Sequence, residues 1–238
     1  MGEITMADRR SQIRARSYQE IRQVARDLLV AEGLQGVTIN AVARRMGMSG
    51  PAIYRYYDSH DDLIAGLTAE FYREATAAIE AARLPGAVNL VPMSRALRRW
   101  ALANRAGFRL IFASPPLAQP SGPSPREDRA AANAFGAVFF DEVAAIWGQK
   151  GFPVPDPASV TPALWPQLRR YAGETGDRLP PEAVYVFLNC WVRLYGLLCM
   201  EVLHQIDFAI TDAAPLFEDC LRELCGWLDI PYREENAG

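Results

Sequence analysis

Apolar residues recur every three or four positions along most of the chain, and that period predicts helices. Over 14–31, Ile21, Val24, Ala25, Leu28 and Leu29 fall on one stripe, and Gly33 follows as a stop signal. A short second helix is expected over 39–46, with Thr38 placed to cap it. Gly47 permits a sharp turn, because glycine alone takes positive φ without steric cost. A third short helix is expected over 50–56, with Ser49 as its cap and Pro51 in its first turn. Asp58 or Ser59 caps a long helix over 59–83, striped by Leu63, Ile64, Leu67, Phe71, Ala75, Ala78, Ile79 and Ala82. Asp61 and Asp62 suit its positive end, and Pro85-Gly86 stops it. Residues 1–12, ahead of the first stripe, read as a mobile tail.

Further helical patterns cover 93–104, 107–112, 126–148 and 163–171. Between them, 114–125 is rich in proline and reads as a loop, and Pro153, Pro155, Pro157 and Pro162 mark a turn. The segment 181–204 is apolar on nearly every face and is almost long enough to span a bilayer. Asn189, Arg193 and Glu201 interrupt it, and a central arginine costs about 2.5–3.5 kcal/mol on insertion scales. Burial on several sides, against its own domain and a partner chain, is the reading adopted, with no membrane. A last helix over 213–228 carries a stripe of Leu216, Phe217, Cys220, Leu221, Leu224, Cys225 and Leu228. No strand pattern appears, so the fold class expected is all-α. A three-helix N-terminal domain over 1–63 would precede a helical domain over 64–238.

Charge adds a modest asymmetry. The chain of 238 residues has net charge -3, yet residues 1–60 hold nine arginines against six acidic residues. A basic head on an acidic body suits a small nucleic-acid reader joined to a different domain. The start, Met1 to Arg16, is polar and has no apolar leader pattern, which points to the cytoplasm. Cys190, Cys199, Cys220 and Cys225 form no CxxC pair and have no histidine at zinc spacing, so reduced core residues are expected and no metal. Candidate chemistry is sparse. His60 and His204 are the only histidines, and no phosphate loop, G-x-S-x-G or HExxH occurs. The carboxylate pairs Asp61-Asp62 and Glu234-Glu235 fall at a helix start and a tail. No catalytic residue, no cofactor and no enzymatic activity is expected.

The stretch from Gly36 to Leu63 carries the function. Two short helices joined by a tight turn, with arginines on the first and tyrosines on the second, match the size of a DNA major groove. The residues of helix 1, Gly36-Val37-Thr38, Val42-Ala43, Gly47-Met48-Ser49, Ala52-Ile53-Tyr54, Tyr57 and Leu63 resemble the N-terminal domain of the TetR family of transcriptional repressors. The likeness covers about 14–65. It implies an all-helical homodimer whose last two long helices form a four-helix interface, and an internal cavity for a small molecule. The chain departs from the family pattern at Tyr57, usually phenylalanine, Tyr56, often histidine, Pro51, and His60, usually a lysine approaching a phosphate.

In that motif, Met48, Ser49, Gly50, Pro51, Ala52, Arg55 and Tyr56 occupy the exposed start and face of helix 3. Arg55 is the candidate base reader, because its fork matches guanine O6 and N7. Tyr54, Thr38, Arg44, Arg45, Arg14 and His60 are candidate phosphate contacts. Ile53 and Tyr57 are expected in the core. In the C-terminal region, Trp100, Asn104, Phe108, Phe112, Phe139, Trp147, Trp165, Tyr185, Asn189 and Arg193 are candidate lining for an effector with an apolar or aromatic body and one polar end. The expected function is a ligand-responsive regulator, read as a repressor, that binds a double-stranded, pseudo-palindromic operator as a homodimer. A DNA-binding regulator governed by cysteine oxidation or a protein partner, with no small-molecule ligand, is the alternative.

Overall fold

A computed structural model describes residues 6–113 and 127–234. The described residues form α-helices and short 3-10 turns, with no strand among them. The helices are α1 (Met6–Glu32), α2 (Ile39–Arg45), α3 (Gly50–Ile53), α4 (His60–Glu80), α5 (Leu90–Ala103) and α6 (Arg105–Phe112). They continue with α7 (Glu127–Lys150), α8 (Trp165–Glu174), α9 (Pro181–Val202) and α10 (Ala214–Trp227). The all-α expectation holds, and every helix read from the apolar period is present. The loop expected over 114–125, residues 1–5 of the expected tail, and Glu235 lie outside the described residues.

Local chemistry explains the boundaries, including where they differ from the sequence expectation. α1 begins at Met6, so residues 6–12 are helix and not tail. No glycine or proline interrupts the run from Met6 to Glu32, so nothing breaks the helix ahead of its apolar stripe. Thr38 caps α2 as expected, its hydroxyl accepting from Ala41 N at 3.1 Å. Ser49 does not cap α3 through its side chain. Only its carbonyl accepts, from Ala52 N at 2.9 Å, and α3 is one turn long because residues 54–56 continue as turns. At the start of α4 the Ser59 hydroxyl accepts from Asp62 N at 3.0 Å, and Asp62 Oδ2 accepts from Asp58 N at 3.2 Å. The first bond satisfies one orphan donor of the helix, and the second pins the residue ahead of the cap. Gly47 has φ 65°, the left-handed value the α2–α3 turn requires.

The chain divides into two packing units, residues 1–73 with 105–132, and residues 74–104 with 133–238. In the first, Ile21, Leu28, Ile53, Leu63, Ile64, Leu67 and Phe71 are fully buried. Each such side chain contributes about 1.5–3 kcal/mol of transfer free energy. α6 seats against α4 through Gly107, where an added Cβ would lie 2.3 Å from Phe71 Cδ1. The second unit is built around an aromatic cluster. Trp191 of α9 meets Phe135 and Phe139 of α7 at ring separations of 5.9 and 5.6 Å. Buried Glu142 of α7 accepts from Arg83 Nη2 at 3.0 Å and from Asn89 N, tying down the segment between α4 and α5. Arg95 binds Glu218 at 2.7 Å and the Arg233 carbonyl at 3.0 Å, fastening the C-terminal segment. Arg98 and Glu201 pair at 2.6 Å across α5 and α9.

α7 and α9 are long and apolar enough to cross a membrane, with mean hydropathies of 1.2 and 1.5. In α7 half of the apolar window is buried inside the chain; in α9 only 33% is. α9 therefore leaves Val192 (67% exposed) and Met200 (39%) on an outer face, with Trp227 (40%) of α10.

Candidate nucleic-acid interface

The first unit builds one outward corner from α1, α2 and α3. Burial sorts the corner's residues by role. Ile53 and Tyr57 are 0% and 3% exposed and seal it onto α1 and α4, as the apolar pattern required. Ser49, Pro51, Tyr54 and Arg55 are exposed, and Met48, Gly50, Ala52 and Tyr56 are partly so. Gly50 lies close to α2: a Cβ there would be 3.0 Å from Asn40 Oδ1, at the tip of an exposed side chain. On α2, Thr38, Arg44 and Arg45 are exposed; Arg45 also pairs with Glu32 at 3.4 Å.

The N-terminal part of α1 joins this corner. Arg14 and Ile13 border a cleft with Arg55 and Tyr56. Arg14 Nη2 donates to the Tyr18 hydroxyl at 3.4 Å, with the guanidinium 5.7 Å from that ring. Tyr18 in turn meets Tyr56 and Tyr57 edge-on at 5.3 and 5.4 Å. Sequence reasoning missed Tyr18. Its i,i+4 spacing from Arg14 was the available signal. His60 is placed differently from a free phosphate contact. Its Nε2 donates to the Val37 carbonyl at 2.6 Å, and Nδ1 lies 3.7 Å from Asp61 Oδ1. The imidazole thus ties α4 to the segment ahead of α2.

Beneath the corner lies a polar relay. Arg22 Nε donates to the Tyr57 hydroxyl at 2.9 Å, and Arg22 Nη2 reaches Glu127 at 3.0 Å. Arg73 of α4 binds the same carboxylate. Burial pushes the Tyr57 phenol up, against the opposing pull of Arg22. Neither Arg22 nor Glu127 stood out in the sequence, because the contact spans more than a hundred residues.

The ten candidate effector residues are divided between the two units. Phe108 and Phe112 belong to the first unit, 4.7 Å apart, with Tyr72 against Phe112. In the second unit, Phe139 packs in the Trp191 cluster and Trp147 packs on Phe152 at 4.9 Å. Trp165 Nε1 donates to the Pro157 carbonyl at 3.2 Å, and Asn104 Nδ2 donates to the Trp100 carbonyl at 3.0 Å. Arg193 pairs with Glu223. Tyr185 and Asn189 share a pocket between α9, α10 and residues 153–155. The Trp100 indole N–H is buried with no hydrogen-bond partner among the described residues. A buried donor left in that state is a polar group available to a ligand. The thiols of Cys190, Cys220 and Cys225 are buried and unpaired, and burial pushes Cys190 up to about 12 and Cys225 up to about 11.

Comparison with known proteins agrees with this geometry. Residues 21–67 match the family described as bacterial regulatory proteins, tetR family. Residues 90–224 match the tetracyclin repressor-like C-terminal domain. The HTH-type transcriptional regulators Rv1816 of Mycobacterium tuberculosis and Mb1846 of Mycobacterium bovis are each 28% identical over 219 residues. The alignment covers 89% of this chain and 90% of theirs. The crystal structure of SCO4313, described as a regulatory protein, is 32% identical with a TM-score of 0.70, covering 91% of this chain and 98% of its own. A tetR family transcription regulator from Shewanella sp. PV-4 shares the fold at 16% identity, with a TM-score of 0.58 and coverage of 91% and 98%.

Proposed function

The chain belongs to the tetR family of bacterial regulatory proteins, and from that premise we propose that it is a ligand-responsive repressor of transcription, working as a homodimer on a pseudo-palindromic operator. It is a DNA-binding transcriptional regulator with a helix-turn-helix head. The observation that carries the finer reading is the sorting at the corner: Ile53 and Tyr57 are buried while Tyr54, Arg55, Ser49 and Pro51 face outward. A short helix held from behind and exposed in front is what a major groove accepts.

Arg55 reads a guanine edge, and Tyr54, Tyr56, Thr38, Arg44, Arg45 and Arg14 position the head on phosphates. His60, bonded to the Val37 carbonyl, serves instead to hold the start of α4 against the segment ahead of α2. Residues 1–63 serve DNA, and 64–238 serve regulation and dimerisation. The apolar outer face of α9, with Trp227 of α10, is the surface a second copy covers, which supports dimerisation through the last two helices. Two heads so joined address half-sites about 34–36 Å apart. An effector that favours one head spacing over another shifts the dimer off DNA, with α4 as the lever. The orphan Trp100 indole supports a small-molecule effector. The burial and raised pKa of the thiols favour that reading over control by cysteine oxidation. The protein works in the cytoplasm, where its operator is. Arg55→Ala should keep the fold and relax sequence preference, costing about 1–3 kcal/mol on the preferred duplex. Footprinting both proteins on that duplex tests it; unchanged affinity and footprint would contradict the assignment.

A further inference from the structure

Arg22 of α1 crosses the back of the recognition corner, and its side chain is only 19% exposed. A guanidinium so placed needs an opposite charge, because a buried charge left unpaired is costly. Tyr57 offers only a neutral hydroxyl, at 2.9 Å. The charge is met by Glu127, whose two carboxylate oxygens accept from Arg22 Nη2 at 3.2 and 3.0 Å. Glu70, the other carboxylate that Arg22 feels, is already paired with Arg26 at 3.7 Å. Glu127 stands in the first turn of α7, within the first packing unit but outside the helix-turn-helix stretch 21–67. The same carboxylate binds Arg73, so one acidic group ties α1 to α4. A pair lying wholly on the surface would be worth little; the burial of Arg22 is what gives this one consequence.

Gly66 is an independent sign that the chain keeps this crossing open. It is buried in the middle of α4, where glycine weakens a helix. A Cβ there would lie 3.1 Å from Tyr57 Cε1 and 3.3 Å from Arg22 Nη2, closer than ordinary contact. The missing side chain makes room for the guanidinium and the phenol ring together. From Tyr57 the contacts run on to the outward side. Its ring meets Tyr18 edge-on at 5.4 Å, and Tyr18 meets Tyr56 at 5.3 Å and accepts from Arg14 Nη2 at 3.4 Å. Arg14 and Tyr56 then border the outward cleft with Arg55.

We propose that Glu127 is a positioning residue for DNA recognition: through Arg22 and Tyr57 it fixes Tyr18, and with it the Arg14 and Tyr56 side chains that meet the duplex. Glu127 itself touches no DNA. The proposal rests on the reading of Arg14 and Tyr56 as DNA contacts and adds a control point outside the helix-turn-helix. Its sign opposes plain electrostatics. A carboxylate repels a phosphate backbone, so removing its charge would by itself tighten binding. Losing the brace weakens binding instead.

The test measures the affinity of the full chain for the duplex it selects from a random pool, at fixed salt and well below the melting temperature of every variant. Glu127→Gln keeps the size of the side chain and removes its charge. It should bind several-fold more weakly than the wild type. Tyr57→Phe cuts the same path one step nearer the duplex and should also weaken binding, and the two changes together should cost less than their sum. Arg14→Ala should cost less in the Glu127→Gln background than in the wild type, because Arg14 is then already unfixed. The proposal is overturned if Glu127→Gln binds as tightly as the wild type or more tightly, or if its effect adds fully to that of Arg14→Ala. A lower melting temperature with unchanged affinity would also overturn it, making Glu127 a support of the fold alone. A wild type that selects no duplex would overturn the regulator reading, and this proposal with it.

Discussion

Tyr57 owes its position to its ring and its partners to its hydroxyl. The apolar pattern placed the ring in the core, and it is 3% exposed. Where phenylalanine would suffice for packing, the hydroxyl accepts from Arg22 Nε at 2.9 Å, and Arg22 then reaches Glu127. Tyr57→Phe should leave that nitrogen unsatisfied in a partly buried site and cost about 1–2 kcal/mol. A lower urea midpoint at unchanged slope would confirm it; an unchanged midpoint would show the hydroxyl to be idle. Periodicity reveals which side of a residue faces the core and nothing of its long-range partners. That is why Ile53 and Tyr57 were legible in the sequence, whereas Arg22, Glu127 and Tyr18 were not. His60 is the converse case: the sequence marked it as a departure, but its bond to the Val37 carbonyl depends on the folded chain.

At the scale of elements, helix existence followed from the apolar period and boundaries from capping chemistry. Thr38 and Ser59 cap as their positions suggested, whereas Ser49 leaves its hydroxyl out of the α3 cap. α1 runs farther toward the N-terminus than its apolar stripe, since a polar run without breakers carries no facing signal yet stays helical. The seat of α6 on α4 depends on Gly107. Gly107→Ala should drive a methyl into the Phe71 ring and destabilise the first unit by about 1–3 kcal/mol. A thermal melt would register the loss, and an unshifted melting temperature would mean the two helices can separate freely.

Glu218 of α10 makes a pH-dependent contribution. The Arg95 guanidinium, then the Tyr232 hydroxyl, hold its carboxyl below the usual carboxylate range. A depressed folded-state pKa stabilises the fold above the unfolded value, and the gain is lost as pH falls through the folded value. Glu218→Gln should therefore be less stable than the wild type near neutrality, with the gap closing as pH falls below the usual carboxylate range. Parallel denaturation curves across that range would check it; a constant gap would show that the charge is not what holds the C-terminal segment.

For the whole molecule, the helix-turn-helix was readable because groove recognition imposes a fixed spacing of glycine, caps and buried positions. The ligand-lining residues expected in the C-terminal region follow no such spacing, because pockets draw residues from distant segments. Among the candidates, Tyr185 and Asn189 share a pocket whose other walls come from prolines, valines, Gly226 and Trp227. The apolar outer face of α9 was visible as an excess of hydrophobic residues, and the chain itself buries 33% of that window. The account stands on the paired presentation of α3. Selecting duplexes from a random pool with the purified full chain tests this most directly. The expected product is a two-fold symmetric sequence with half-site centres about one helical turn or a whole multiple apart. Recovery of no preferred sequence, or of a single asymmetric half-site bound by one copy, would contradict it.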